Sequence, residues 1–268
     1  MNEFDKYLTC WELIADGAPI FTSQSKLLPV RYKNTPCMLK VATSKEERDG
    51  GSLMVWWGGL GSAKIFAHDA YALLMERAIG SRSLTLMAQE QHDTQASLII
   101  CDVVGKLHSH KQSVLPSSLI PLDLRFRALY DAASTHGGIF RRAATVAQEL
   151  LKYPESIVVL HGDIHHGNIL DFSDRGWLAI DPKGLLGERG FDYANIFCNP
   201  DWDIATKPGR LEQQATVIAR AAGLDRTRLL QWILAYAGLS AAWHLEDETN
   251  SELAITIANR AATALNIG

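Results

Sequence analysis

Short apolar runs separated by polar stretches dominate the first part of the chain and predict strands. Residues 37–42 form one strand candidate, residues 71–75 form a second apolar run, and a further strand is expected near Ile65-Phe66. The pair Gly50-Gly51 follows a polar stretch. Because glycine is a poor helix former, any helix there is predicted to be short or interrupted. Residues 56–61, which contain two tryptophans and three glycines, are predicted to be a loop.

Apolar residues at spacings of three and four predict helices in the rest of the chain. Residues 95–110 and 228–245 carry such a pattern, and Asp225 is placed to cap the second of these helices. Residues 123–151 predict one or two further helices, broken near Gly137-Gly138. The chain is therefore predicted to be an α+β protein, with a small β-rich part followed by a larger helical part.

A different pattern interrupts the helices in the middle of the chain. Ile157 to Leu160 is an apolar strand that leads into a polar loop, and Ile169 to Phe172 is a second strand that leaves the loop. The polar turn 173–176 then connects to the strand Trp177 to Ile180, which ends at Asp181. We therefore predict a loop followed by a hairpin whose far end carries a carboxylate.

The polar residues of this loop have the types and spacing that phosphoryl transfer requires. His161, Asp163 and Asn168 match the pattern H-x-D-x-x-x-x-N of the kinase catalytic loop, in which Asp is the base and Asn binds a metal ion. Asp181 then takes the metal-binding role of the Asp in the kinase D-F-G element, and such oxygen ligands suit Mg²⁺. Pro182-Lys183 replace the Phe and Gly of that element, which weakens the expectation of a kinase-like flip.

The other half of a kinase site needs a lysine for the phosphates of ATP and a glutamate to pair with it. Lys40 lies in the middle of an apolar strand and is predicted to be that lysine, with Glu47 as its partner and Glu46 as the alternative. A G-x-G-x-x-G loop is absent upstream of Lys40, and the segment 22–26 occupies its place. The predicted nucleotide contacts from this segment and from the junction of the two parts are Ser23, Ser25, Met75, Glu76 and Ala78.

Two other classes of protein compete with a kinase. His161, His165 and His166 suggest a zinc hydrolase, but no H-E-x-x-H or comparable ligand set is present, and His161 is better interpreted as a brace for the loop backbone. A nucleotide-binding pseudokinase is favoured by the missing glycine loop. The intact set of Lys40, Asp163, Asn168 and Asp181 argues against it.

The loop sequence His161-Gly162-Asp163-Ile164-His165-His166-Gly167-Asn168, together with Asp181, resembles the hallmark H-G-D-x-H-x-x-N of the aminoglycoside phosphotransferase and choline kinase superfamily. Further stretches resemble the streptomycin 6-phosphotransferase and hydroxyurea-resistance kinase group within it. These stretches are residues 175–182, 184–189 with 191–197, and 238–243.

The resemblance implies a two-lobed protein-kinase-like fold with ATP in the cleft between the lobes. A small β-rich N-terminal lobe over residues 1–77 would bind the nucleotide. A larger, mainly helical C-terminal lobe over residues 78–268 would carry out catalysis and bind the substrate. Asp163 is implied as the catalytic base, Asn168 and Asp181 as the Mg²⁺ ligands, and Asp192 as a buried support for the catalytic loop.

The implied activity is ATP-dependent phosphorylation of a small-molecule hydroxyl, with streptomycin or a related aminoglycoside as the first substrate and antibiotic resistance as the role. A kinase of another small metabolite alcohol is the alternative. Streptomycin carries two guanidinium groups, so carboxylates and flat aromatic rings are expected around it. The candidates in the right part of the chain are Glu188, Asp201, Trp202, Trp243, Glu246 and Asp247.

Composition adds limits to this interpretation. The chain has 268 residues, a formal net charge of −4 and a pI near 6.1, which makes it a poor candidate for nucleic-acid binding. Its four cysteines form no C-x-x-C pair, which is typical of a reduced, cytoplasmic protein. The longest apolar stretch, Trp232 to Trp243, is too short to span a membrane. A monomer that binds a small molecule is expected.

Overall fold

The computed structural model describes residues 3–22, 25–111 and 114–267. Its first part is a sheet of six strands, mostly in the order β1-β3-β4-β6-β5, with β2 paired to β3 and all pairs antiparallel. In sequence, one helix precedes β1 and a second lies between β4 and β5. The elements are α1 (Asp5–Cys10), β1 (Ile14–Ala15), β2 (Ile20–Phe21), β3 (Ser25–Tyr32), β4 (Thr35–Ala42), α2 (Lys45–Trp57), β5 (Ile65–His68) and β6 (Ala72–Glu76).

Helix α2 corrects two of the predictions from sequence. It is a continuous helix of 13 residues that includes both tryptophans assigned to a loop, and the loop begins only at Gly58. The two glycines within it serve close packing. A Cβ atom on Gly50 would lie 2.0 Å from the carbonyl oxygen of Pro182, and one on Gly51 would lie 2.9 Å from Leu73 Cδ1. The prediction of a short or interrupted helix was therefore wrong, because helix packing outweighs the low helix propensity of glycine.

The second part of the molecule is mainly helical. Its longest helix is α10 (Arg226–Glu246), which is buried on nearly all sides by neighbouring elements. Asp225 caps this helix by accepting a hydrogen bond from Arg228 N at 2.8 Å. The helices are α3 (Leu84–Met87), α4 (Asp93–Ser109), α5 (Arg127–His136), α6 (Gly138–Lys152), α7 (Phe191–Ala194), α8 (Trp202–Ala205), α9 (Arg210–Ala222), α10 (Arg226–Glu246) and α11 (Glu252–Ala264).

Two small sheets carry the central loop and its hairpin. β7 (Ile120–Pro121), β11 (Leu185–Glu188) and β8 (Ile157–Leu160) form one sheet, in which β8 and β11 are antiparallel. β9 (Ile169–Asp171) and β10 (Trp177–Ala179) form the predicted hairpin. The loop between β8 and β9 is thus held at both ends by strands.

The hairpin also contacts the loop that follows α2. Ala63 N donates to Ala179 O at 3.0 Å, and Ala179 N donates to Gly61 O at 2.9 Å. These backbone bonds hold the β9–β10 hairpin against the N-terminal part, so the central loop lies at the cleft between the two parts. The α+β, two-lobed architecture predicted from the sequence is confirmed. β6 ends at Glu76, and the division of the lobes after residue 77 stays a prediction.

None of the helices in the described ranges is both long and apolar enough to cross a membrane.

Candidate active site

A buried carboxylate accepts hydrogen bonds from the backbone at the start of the central loop. Asp192, on α7, accepts hydrogen bonds from His161 N at 2.9 Å, Gly162 N at 2.8 Å and His108 Nε2 at 2.8 Å. Burial alone would raise the pKa of Asp192. The hydrogen bond and charge of His108 and the backbone N–H donors outweigh burial and keep this pKa below its usual value. An ionised Asp192 therefore supports the start of the loop.

The ring of His161 braces the loop from within. Asp163 N donates to His161 Nδ1 at 3.2 Å, while His161 Nε2 lies 2.8 Å from Ile180 O. A backbone N–H can only donate and a carbonyl oxygen can only accept, so the ring is neutral with its proton on Nε2. Burial lowers the pKa of His161, consistent with this form, and the ring stacks on Trp57. His161 therefore connects the loop to the strand before Asp181.

The carboxylate of Asp163 is held by two side-chain amides. Asn168 Nδ2 donates to Asp163 Oδ2 at 3.2 Å and to its backbone oxygen at 2.9 Å, and Asn195 Nδ2 donates to Asp163 Oδ1 at 3.0 Å. The side chain keeps 29% of its surface exposed and lines a cavity. Asp163 is therefore oriented and also accessible to a substrate.

Two lysines and two carboxylates meet on the other side of the cleft. Lys40 forms ion pairs with both Glu47 and Asp181. Glu47 is buried, accepts from Ser25 Oγ at 2.7 Å and lies 3.3 Å from Lys183 Nζ. Burial would raise the pKa of Asp181, but the charge of Lys40 outweighs it and holds this pKa below its usual value. Asp181 is therefore available as an anion next to Lys40.

Glu47, on α2, is the lysine partner, as the first of the two alternatives predicted. The alternative, Glu46, points elsewhere and forms an ion pair with Arg125 at 2.8 Å. Because α2 is capped by Ser44, whose hydroxyl accepts from Glu47 N at 3.2 Å, Glu47 stands in the first turn of the helix.

A cavity of about 220 Å³ opens beside Lys40 and Asp181. Its walls are mostly apolar, which suits a flat nucleotide base next to a charged phosphate end. Met75 and Ala78 line it, as does Ser25. Glu76 is not among the lining residues, because its carboxylate turns away and accepts from Arg175 at 2.7 Å and Lys64 N at 3.2 Å. Ser23 lies outside the described residues.

A second cavity, of about 270 Å³, opens on the other side of Asp163. Most of its walls were not predicted from the sequence, although Tyr236, Ser240 and His244 recur every four residues along one side of α10 and so give a local signal. Among the described residues that line it, only Asp163 carries a carboxylate. The lining residues are Asp163, His165, Asn195, Cys198, Asn199, Tyr236, Ser240, His244, Leu253 and Ala254.

Glu188 is not in this cavity, which corrects the expectation that it contacts the substrate. It pairs with Ile157 at the end of β8 that is remote from the loop. Its buried carboxylate accepts two hydrogen bonds from Arg228, at 2.7 and 2.6 Å, and one from Trp232 Nε1 at 2.6 Å. These contacts satisfy Glu188, and its role here is structural.

The other expected substrate residues are not among the residues that line this cavity. Asp201 caps α8 by accepting from Ile204 N at 3.0 Å, and Trp202 next to it is 43% exposed. Trp243 is partly buried, with Arg125 5.0 Å from its ring centre. Glu246 and Asp247 are exposed at the end of α10, just beyond His244. They remain candidates for a substrate group that extends out of the cavity.

The three loop histidines do not converge as a zinc site would require. His161 uses both ring nitrogens for backbone contacts, and His165 Nδ1 accepts from Gly167 N at 3.0 Å. His166 is buried, and burial lowers the pKa of its ring to about 4. The geometry therefore supports the kinase interpretation over the hydrolase.

Comparison with known proteins decides the family. A sequence profile described as aminoglycoside/hydroxyurea antibiotic resistance kinase matches residues 10–248. This chain belongs to that family. It is therefore a small-molecule kinase, and kinases of this class use ATP as the phosphoryl donor.

Individual relatives agree with this assignment. The chain is 47% identical over 242 residues to a streptomycin 3''-kinase of Klebsiella pneumoniae, which covers 88% of this chain and 90% of the relative. It is 28% identical over 258 residues to a streptomycin 6-kinase of Streptomyces glaucescens, with 91% and 82% covered. Among solved structures, an amicoumacin kinase in complex with AMP-PNP and Ca²⁺ matches with a TM-score of 0.68 at 13% identity, covering 99% of this chain and 93% of that chain. This last likeness supports the kinase-like fold.

Proposed function

We propose that this enzyme transfers the γ-phosphoryl group of ATP to a hydroxyl of streptomycin, at the 3'' position, and so causes resistance to the drug. The observation that carries the proposal is the 47% identity to a streptomycin 3''-kinase over 88% of the chain. The 6-kinase relatives are only 28% identical. The intact geometry around Asp163 and Lys40 supports turnover and argues against a pseudokinase.

The donor side of the site fits Mg²⁺–ATP. The apolar cavity next to Met75 and Ala78 is suited to adenine, and Lys40, oriented by Glu47, is suited to the phosphates. Asn168 and Asp181 supply the oxygen ligands that Mg²⁺ prefers. When bound, Mg²⁺ would neutralise charge on the phosphate oxygens. Of these two residues, Asp181 would be the ligand with a full negative charge.

On the acceptor side, Asp163 is the proposed general base. Its carboxylate faces the second cavity, and two amides hold it in one orientation. As the substrate oxygen forms its bond to phosphorus and the bond to ADP breaks, the hydroxyl proton passes to Asp163. The proton then leaves to solvent.

The chemistry of the second cavity supports the 3'' position. In streptomycin the unprimed ring carries both guanidinium groups, and the doubly primed ring is an aminosugar. A cavity that held the guanidinium ring against Asp163 would be expected to offer further carboxylates. Its described walls instead offer amides, hydroxyls and imidazoles, which suit the hydroxyl groups of a sugar. We propose that the guanidinium ring stays outside, near Glu246 and Asp247.

The position of the phosphate is the test. We expect the product of a reaction with Mg²⁺–ATP and streptomycin to show phosphorus coupled to the proton at carbon 3'' in NMR spectra. Coupling at carbon 6 would transfer the assignment to the second candidate, a 6-kinase. ATP binding without any product would move the search to another small alcohol or to a pseudokinase.

We also propose that the enzyme acts as a monomer in the cytoplasm, without a nucleic-acid or membrane partner. The net charge of −4 and the absence of C-x-x-C pairs support this view. Light scattering of the purified enzyme would give its oligomeric state, and a dimer would contradict the first part.

A further inference from the structure

Asn195 contacts the proposed catalytic base directly, although the family motif in the loop does not include it. Its amide nitrogen lies 3.0 Å from Asp163 Oδ1. Asn195 is 7% exposed and stands in the helical turn that directly follows α7, so its backbone is fixed by the same segment that carries Asp192. The contact therefore joins a buried amide to the partly exposed carboxylate of Asp163.

The hydrogen bonds around Asn195 determine which way its amide points. A carboxylate only accepts hydrogen bonds, so the nitrogen of Asn195 must face Asp163. Its oxygen then faces Asn199, whose amide nitrogen donates to Asn195 Oδ1 at 2.9 Å and to Asn195 O at 3.0 Å. Asn199 thus holds the Asn195 amide in the one orientation that places a donor on Asp163.

We propose that Asn195 is a positioning residue for the catalytic base and that Asn199 fixes the orientation of its amide. The inference rests on the proposed role of Asp163 as that base. Asn195 holds Oδ1, and Asn168 holds Oδ2, so the plane of the carboxylate is set from both sides. The substrate hydroxyl then finds a base whose free lone pairs point into the cavity.

The different roles of the Asn168 and Asn195 amides explain why Asp163 needs a second hydrogen-bond donor. Asn168 has a further task in the proposed mechanism, because its oxygen would bind the metal ion. Its amide nitrogen is also shared, since it donates to the backbone oxygen of Asp163 at 2.9 Å as well as to the carboxylate at 3.2 Å. Asn195 binds no metal ion in the proposed mechanism, so we expect its contact with the base to be the same with and without nucleotide.

The substitution Asn195→Asp tests the proposal with little change in shape. It places a second carboxylate where the amide stood, and two carboxylates at hydrogen-bond distance share a proton, which raises one of their pKa values. With streptomycin and Mg²⁺–ATP, we expect the acid limb of kcat/KM against pH to move up by about one unit or more. The KM for ATP should change less than twofold, because Asn195 lies on the acceptor side.

Asn259→Asp is the matched control, because Asn259 is exposed on α11 and donates only to its own helix at Ile255 O. It makes the same chemical change and should leave the pH profile in place. An Asn195→Asp enzyme whose acid limb coincides with that of Asn259→Asp would overturn the proposal. A wild-type enzyme that releases no ADP with streptomycin would reject the proposed function, and this inference with it.

A second variant covers the case in which Asn195→Asp does not fold. Asn199→Asp does not touch Asp163, but its carboxylate faces the oxygen of Asn195 and favours a flipped amide, which then turns its oxygen to the base. We expect kcat to fall about tenfold, since a hydrogen bond to a charged group is lost. Unchanged kcat, in an enzyme that melts at the wild-type temperature, would contradict the proposal.

Discussion

The packing of α2 against the segment after Asp181 makes Gly50→Ala the most informative single substitution. A Cβ atom there would lie 2.0 Å from the oxygen of Pro182, whereas ordinary contact begins near 3.4 Å. The helix and the Asp181-Pro182 backbone must therefore separate by about 1.4 Å. Because α2 carries Glu47 and the moved backbone carries Asp181, both partners of Lys40 are displaced.

The size of the effect follows from these distances. A displacement of about 1 Å at a catalytic group can reduce the rate by about 100-fold, so we expect kcat of Gly50→Ala to fall by about that factor. Stability has two opposing contributions. Alanine improves helix propensity by up to about 1 kcal/mol, and overpacking costs about 1–3 kcal/mol. A net loss of about 1 kcal/mol is expected, which is small enough for the enzyme to remain folded.

Gly105→Ala is the control, because Gly105 lies within α4 and a Cβ atom there meets no atom within 4 Å. It should keep full activity and raise the melting temperature by about 1–4 °C. The assays are steady-state kinetics with streptomycin and Mg²⁺–ATP, and thermal unfolding. If Gly50→Ala matched Gly105→Ala in both, the contact between α2 and Pro182 would not control the site.

Three further predictions follow from the other contacts. In Asp163→Ala, kcat should fall by about 10²–10⁴-fold, while calorimetry should still detect ATP binding. Asp181→Ala should instead lose Mg²⁺-dependent ATP binding. An Asp163→Ala enzyme with nearly full activity would disprove the assigned base. Glu188→Ala removes the main partner of the Arg228 guanidinium, which keeps Glu155 at 3.5 Å and the backbone oxygen of Tyr153 at 2.7 Å. It should reduce the free energy of unfolding in urea by about 2 kcal/mol, while KM for streptomycin stays constant. A raised KM would restore Glu188 to the substrate site. Asp192 has a lowered pKa, so its contribution to stability is full above the unfolded value of about 4 and is lost as the pH falls below it. The melting-temperature gap between wild type and Asp192→Asn should therefore be smaller at about pH 3 than at about pH 5. A gap that grew between these two pH values would contradict the hydrogen bonds that Asp192 accepts.

The proposed catalytic residues could be located from sequence because their geometry is local. His161, Asp163 and Asn168 lie within eight residues of each other, and the flanking strands leave one short loop to hold them. A two-stranded hairpin connects this loop to Asp181, and the apolar pattern predicts both strands of the hairpin. The partner of Lys40 was also predictable, because α2 directly follows the strand that carries the lysine.

The walls of the acceptor cavity could not be located in this way, since they come from segments far apart in the chain. Glu188 was expected to contact the substrate because it is acidic and close in sequence to Asp181. The strand β11 runs away from the loop. Leu185 pairs with Leu160 next to the loop, and Glu188 lies three residues further along the strand, about 10 Å away. Ser240 and His244 reach the cavity only through the packing of α10, a tertiary contact.

Gly50 shows a third kind of limit. The same residue type that weakens an isolated helix allows the close approach of two backbones, and the sequence alone does not distinguish these uses. Which one applies depends on whether another segment, here Pro182, packs against the helix.

The central claim is most directly tested by incubating the purified enzyme with Mg²⁺–ATP and streptomycin and measuring the mass of the drug, with Asp163→Asn in parallel. We expect that the wild type adds one phosphoryl group to streptomycin and that Asp163→Asn adds almost none in the same time. Unmodified streptomycin after incubation with a wild-type enzyme that binds ATP would contradict it.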